Sequence, residues 1–166
     1  AKDDNSVPVR KGNYFYSSEV TGDNEYEVHL RAKDFAGKDK QVILDVNELA
    51  KEHEFFSIGG LYVSPNENLL AYGEDTLSRR VYTLKIKDLK TGNYLQDEIE
   101  GASSAIAWQN DNNAFYYIKK DPQTLLGYQV YRHVLGTPQS SDELIFEETD
   151  SAYYTSLSKS KDGEDI

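Results

Sequence analysis

Ser64-Pro65-Asn66-Glu67-Asn68-Leu69-Leu70-Ala71-Tyr72-Gly73 decides how the rest of the chain reads. Its form returns about 45 residues later as Gln109-Asn110-Asp111-Asn112-Asn113-Ala114-Phe115-Tyr116-Tyr117-Ile118. In both copies a polar turn feeds an apolar strand. Such a unit at a period of about 40–50 residues is the signature of a β-propeller, in which each repeat is one four-stranded blade. Repeats of that length fit the 166 residues only about three and a half times, fewer than a closed ring carries. The expected fold is therefore all-β: a propeller fragment of about three blades with one short helix.

Working outward, Asn13 to Ser18 and Glu25 to Arg31 alternate polar and apolar residues around the turn Thr21-Gly22-Asp23-Asn24, which predicts a hairpin. Gln41 to Leu44 is a third strand. Asp45 and Glu48 stand at capping-box spacing for a helix over Asp45 to Glu52, the only helix the sequence predicts. Ile58–Val63, Leu69–Tyr72, Val81–Lys87 and a strand near Tyr94-Leu95 complete one repeat. Ser104–Trp108, Ala114–Lys119, Tyr128–Val134 and Glu143–Phe146 make the next, and Tyr153–Leu157 begins another. The expected blades are 12–55, 56–101 and 102–150, with the start of a further one at 151–166. Ser160 to Ile166 repeats the turn without its following strand, so both chain ends are expected to be internal to a longer protein.

Composition narrows the function classes. The formal charge of -11, from 29 acidic against 18 basic residues, disfavours nucleic acid, which wants a concentrated basic face. The same charge argues against reading the 13 tyrosines, 6 phenylalanines and single tryptophan as base-stacking platforms, because that mode needs a positive groove. Aromatics on alternating strand faces pack blade against blade instead, with Trp108 as a core anchor. Without cysteine there are no disulfides and no thiolate metal sites. No apolar run approaches the roughly 18 residues that span a bilayer, so no membrane partner is expected. The expected compartment is the cytoplasm, with the periplasm open as the alternative.

Several segments carry a resemblance beyond the repeat. Leu44 to Ala50, Phe55 to Gly60, Tyr82 to Leu89 and Tyr128 to Leu144 resemble the oligopeptidase B (protease II) group of the prolyl oligopeptidase family of serine peptidases, in the same order, from about Val7 onward. Arg10 to Tyr16 looks like that family's entry into its propeller. The resemblance implies the first blades of a seven-bladed propeller that caps an α/β-hydrolase domain carrying a Ser-Asp-His triad. It also implies cleavage of short peptides after Lys or Arg, with the propeller acting as scaffold and size filter. Two places depart from the family pattern: Leu77-Ser78-Arg79-Arg80, where relatives usually carry a glycine and an acidic residue, and Asn66, where aspartate is commoner. Both read as surface turn changes.

No catalytic, cofactor-binding or metal-binding residue is expected within the chain itself. A nucleophile elbow needs Gly-x-Ser-x-Gly, and the nearest stretch, Ser57-Ile58-Gly59-Gly60, has Phe55 where the first glycine belongs. His29, His53 and His133 match no zinc spacing and read as satisfied structural or surface histidines. Asp111, Asp121, Glu147, Glu148 and Asp150 invite a glycosidase or calcium reading, but Asp121 to Gly127 fails the EF-hand pattern, and solvated turns explain the acids more simply. Arg79, Arg80 and Arg132 are the cations a binding site would choose, with a pairing to a neighbouring blade as the competing role for Arg132. The expected partners are the hydrolase domain of the same parent chain and short basic peptides. An isolated piece is expected to self-associate through the edges that a cut ring exposes. The alternative from another class is a non-enzymatic propeller that binds a partner protein.

Overall fold

The computed structural model describes residues 4–148, and the chain divides after Glu54 into two compact units. In the first, β1 (Asp4–Asn5), β2 (Val9–Lys11), β3 (Tyr14–Val20), β4 (Val28–Ala32) and β5 (Gln41–Asp45) form an antiparallel sheet in the order β1-β3-β4-β5, with β2 also on β3. Arg31 is buried there because its charge is fully employed. Its guanidinium lies 3.9 Å from the centre of the Tyr14 ring, and its Nε donates to Gln41 Oε1 at 2.9 Å.

Two expectations shift in this unit. The second strand starts three residues later than the alternation from Glu25 predicts, because the backbone of Tyr26 pairs with a side chain instead: its N–H donates to Asn47 Oδ1 and its carbonyl accepts from Asn47 Nδ2, both at 2.9 Å. The helix α1 (Val46–Ala50) is capped by Asp45, whose carboxylate accepts from Asn47 N at 3.0 Å. Glu48 does not reach back to complete a capping box and pairs with Lys51 Nζ at 3.1 Å.

Among the described residues, the second unit holds one antiparallel path of seven strands: β6 (Ser57–Val63), β7 (Leu69–Asp75), β8 (Tyr82–Asp88), β9 (Tyr94–Trp108), β10 (Ala114–Lys120), β11 (Gly127–Val134) and β12 (Glu143–Glu147). The two strands expected near Tyr94 and at Ser104–Trp108 are thus one long strand. Its two ends have different neighbours: Tyr94, Glu98 and Ile99 pair with β8, whereas Ile106, Ala107 and Trp108 pair with β10. Between them Gly101 takes φ +72, a left-handed conformation that glycine adopts without strain, and Ala102 is partnered from both sides by Tyr82 and Lys119. The path is therefore two four-stranded halves that share β9.

The core lies between those halves. Ala71, Leu84, Ile86 and Ile99 from one side meet Ile106, Phe115 and Tyr117 from the other, all at most 1% exposed. Trp108 is only partly buried, yet it joins the halves by donating Nε1–H to the Tyr62 carbonyl at 2.8 Å while meeting the Phe115 ring edge-on. Close approach is forced at Gly59, where a Cβ would stand 2.3 Å from Ser104 Cβ. A 3-10 turn at Gln139–Ser141, absent from the sequence reading, leads into β12. The strand expected at Tyr153–Leu157 and the turn after it lie outside the described residues.

Candidate functional site: a buried Asp-His-Asp cluster between two half-sheets

The opening pair of turns sets one end of both halves in register. Ser64 N–H donates to the Leu69 carbonyl at 2.8 Å and Gln109 N–H to the Ala114 carbonyl at 2.9 Å. Asn66 Oδ1 accepts from Asn68 N, and Asp111 Oδ1 from Asn113 N. Glu67 and Asn112 both take φ 66. The two copies also touch: Asn66 N–H donates to Asn112 Oδ1 at 2.7 Å. This accounts for Asp111 as a turn residue. Asp121 serves likewise, accepting from Gln123 N at 2.8 Å and Thr124 N at 3.1 Å.

At the far end of β7, Asp75 organises the turn Leu77-Ser78-Arg79-Arg80. Its buried carboxylate accepts from the backbone N–H groups of Leu77 (3.0 Å), Arg79 (3.0 Å) and Arg80 (2.8 Å). Burial pushes its pKa up, but these amide donors outweigh it and hold the group below the usual carboxylate range. Ser78 and Arg80 sit at φ 58 and 59, a region that favours glycine, and the carboxylate compensates for its absence. Arg79 and Arg80 face solvent. Lys120 Nζ donates to the Arg80 carbonyl at 2.6 Å, and burial, then the Arg80 charge, lowers its pKa.

The three histidines have three fates. His53 lies exposed after α1. His29 departs from the satisfied state expected of it: its Nε2 has no hydrogen-bond partner among the described residues, and Glu27 is 3.9 Å away. Burial lowers the His29 pKa, with Glu27 opposing.

His133 is fully buried and bonded at both ring nitrogens. Nε2 is 2.6 Å from Asp97 Oδ2 on the first half of β9, and Nδ1 is 2.7 Å from Asp142 Oδ1 just before β12. Asp97 Oδ2 also accepts from Gly136 N at 2.8 Å. Asp142 Oδ2 accepts from the Tyr117 hydroxyl at 2.6 Å, and burial, then Asp142, pushes the Tyr117 pKa up, so the phenol stays a donor. The Phe115 ring covers the imidazole with centroids 5.3 Å apart. Sequence reasoning placed His133 on a strand but could not find this cluster, since its acids lie 36 and 9 positions away. The one available signal was a histidine at an inward position of an alternating strand.

Among the described residues, Arg132, the chain neighbour of His133, finds its polar partners within the β9-to-β12 half. It binds Gln109 Oε1 at 2.8 Å and stands 3.9 Å from Glu143, both in its own half. Glu147 accepts from Gln129 Nε2 at 3.3 Å, Glu148 bonds through its backbone to the Tyr128 carbonyl, and Asp150 lies outside the described residues. Among the described residues no group of three or more His, Asp or Glu is placed to hold a metal ion. None of their helices is long and apolar enough to cross a membrane.

The comparisons agree with this architecture. Residues 1–166 match the family model described as the prolyl oligopeptidase N-terminal β-propeller domain. A dipeptidyl aminopeptidase BI from Pseudoxanthomonas mexicana is 40% identical over 97% of this chain and 24% of its own length. Protease 2 of Moraxella lacunata is 33% identical over 96% of this chain and likewise 24% of its own length. The structure of oligopeptidase B from Leishmania major superposes with a TM-score of 0.86 at 29% identity, covering 90% of this chain and 22% of that one. The chain thus spans about a quarter of the length of the relatives it matches. Its two antiparallel sheets are blades of a propeller fragment, and the chain belongs to the prolyl oligopeptidase N-terminal β-propeller family.

Proposed function

We propose that this chain is the leading part of the propeller of an oligopeptidase B-like serine endopeptidase that hydrolyses short peptides after Lys or Arg. The single observation that carries the reading is the match to oligopeptidase B over 90% of this chain, at a TM-score of 0.86. The nucleophile, its base and its orienting acid would belong to an α/β-hydrolase domain elsewhere in the parent chain. The propeller, divided into blades at 12–55, 56–101 and 102–150, would act as scaffold and as a filter that admits short peptides and refuses folded proteins. We place the parent in the cytoplasm. Exposed Leu144, Ile145 and Phe146 on β12 support self-association of the isolated chain.

The test is an assay of the full-length protein on peptides of graded length, each containing one Lys or Arg. Cleavage after the basic residue in short peptides, and none in a folded protein bearing the same bonds, is the expected result. The 166-residue chain alone should show no turnover. A full-length protein with no Gly-x-Ser-x-Gly segment, or with equal cleavage after neutral residues, would overturn the reading. The 40% identity to a dipeptidyl aminopeptidase favours a second outcome, release of N-terminal dipeptides, which the same peptides detect by the position of the cut.

A further inference from the structure

A sheet edge offers unpaired backbone donors and acceptors to any strand that can lie beside it, and the edges of the two sheets differ in charge. Among the described residues, β1 and β2 share one edge of the first sheet and β5 forms the other, while β6 and β12 end the seven-strand path. β6 carries no charged residue. β5 is engaged at both ends, Gln41 with Arg31 and Asp45 with the start of α1. β2 and β12 are different: every residue of both strands is exposed.

The two exposed edges are complementary. β2 is Val9-Arg10-Lys11, and Val7 and Val9 are 73% and 56% exposed. Arg10 Nε donates to the Gly12 carbonyl at 3.2 Å, but neither Arg10 nor Lys11 forms an ion pair among the described residues. β12 is Glu143-Leu144-Ile145-Phe146-Glu147, with Leu144 and Ile145 45% and 44% exposed between the acids. Glu143 stands 3.9 Å from Arg132 with its side chain still 64% exposed, and Glu147 meets the neutral Gln129. Ile145 is skipped in the pairing with β11, a bulge that leaves only short regular stretches of β12, which suits a partner of three residues.

Charge decides which edges can meet. An antiparallel β12 pair would set Glu143 of one copy against Glu147 of the other, and a β2 pair would bring Arg10 and Lys11 against the same two cations. Like charges directly opposite across strands are destabilising, whereas opposite charges and apolar pairs stabilise. We propose that β2 of one copy of this chain adds to β12 of a second copy, valine against leucine and isoleucine and Arg10 and Lys11 against Glu143 and Glu147. The proposal rests on the self-association read above and gives it a geometry. Each contact uses one basic and one acidic edge, so both copies keep one edge free, and the assembly runs head to tail without a built-in stop at the dimer. A contact of three residues is small, so the association is weak, with a Kd of about 0.1 to 1 mM.

Sedimentation equilibrium of the 166-residue chain at rising concentration tests this, with circular dichroism to check that each variant folds. The weight-average mass should climb past twice that of the monomer, and should fall as salt is raised from about 0.05 to about 0.5 M. Reversing one edge, as Arg10→Glu with Lys11→Glu or as Glu143→Lys with Glu147→Lys, should give a monomer. Mixing the two reversed chains, or placing all four substitutions in one chain, should restore association. If a reversed chain does not fold, a synthetic peptide of residues 6–12 must lower the mass of the wild type, and the same peptide with both cations changed to glutamate must not. Association that survives in both reversed chains, or a mass that levels off at the dimer, overturns this pairing while leaving self-association in place. A wild-type chain that is monomeric at every concentration overturns both.

Discussion

The two copies of the repeat place tyrosines at equivalent positions, Tyr72 and Tyr117, and both are buried with their hydroxyls donated to a carboxylate. The acids differ. Tyr72 donates to Glu74 Oε2 at 2.7 Å, two residues along its own strand, and Glu74 is also held by Lys85 at 3.2 Å. Tyr117 donates to Asp142, 25 positions away, whose other oxygen holds His133. The Lys85 side chain is 32% exposed and has Glu98 within 4.0 Å, so water and a second acid reach its charge. The His133 side chain is 0% exposed. One tyrosine position thus supports two polar networks, a local and partly hydrated one within a half-sheet and a dry one across the seam.

Removing the acids separates the two networks most directly. Asp142→Asn puts an amide in place of the buried carboxylate that both His133 and the Tyr117 hydroxyl bond, and is expected to cost about 3 kcal/mol. Glu74→Gln keeps an acceptor for Tyr72 and frees Lys85 toward water and Glu98, so about 1 kcal/mol is expected. Urea unfolding of the two variants followed by Trp108 fluorescence measures both. Equal losses would show that burial of the partner does not distinguish the two networks.

The first network was closer to legible than the second, for physical reasons. Turn chemistry is local, so Asn66 and Asp111 could announce two equivalent turns, and alternation located most strands to within a residue or two. Lost from view was whatever depended on contacts distant in sequence. The strands expected near Tyr94 and at Ser104–Trp108 are one, because β8 and β10 hold the two ends of β9 on either side of Gly101. β2 is exposed along its whole length and shows no alternation to read. Arg132 finds its partners on the turn before β10 and on β12, and His133 joins elements brought together only when the half-sheets pack.

Trimming the hydroxyls instead of the acids sharpens the contrast at lower cost. Tyr117→Phe removes a donor from a charged acceptor that has no access to water, and about 2 kcal/mol is expected. Tyr72→Phe leaves Glu74 with Lys85, and the Tyr94 hydroxyl 3.0 Å from the lost group offers a further donor, so about 1 kcal/mol is expected. Burial raises the pKa of both phenols, so neither loss depends on pH near neutrality. A larger effect at Tyr72 would mean that the local network, and not the seam, carries the stability of this unit.

The smallest effect separates the two turns themselves. Glu67 and Asn112 share φ 66, but asparagine tolerates that conformation better than glutamate, and Asn112 also accepts a hydrogen bond from the other copy. Exchanging the residue types should therefore give unequal results. Glu67→Asn relieves backbone strain and is expected to stabilise the fold by about 0.5 kcal/mol, whereas Asn112→Glu adds strain and strips Asn66 N–H of its acceptor, costing about 1.5 kcal/mol. Thermal unfolding of the two variants reads the asymmetry directly. Equal and opposite shifts would mean that the hydrogen bond between the copies adds nothing beyond backbone preference, and that the repeats are neighbours in register without being coupled at their turns.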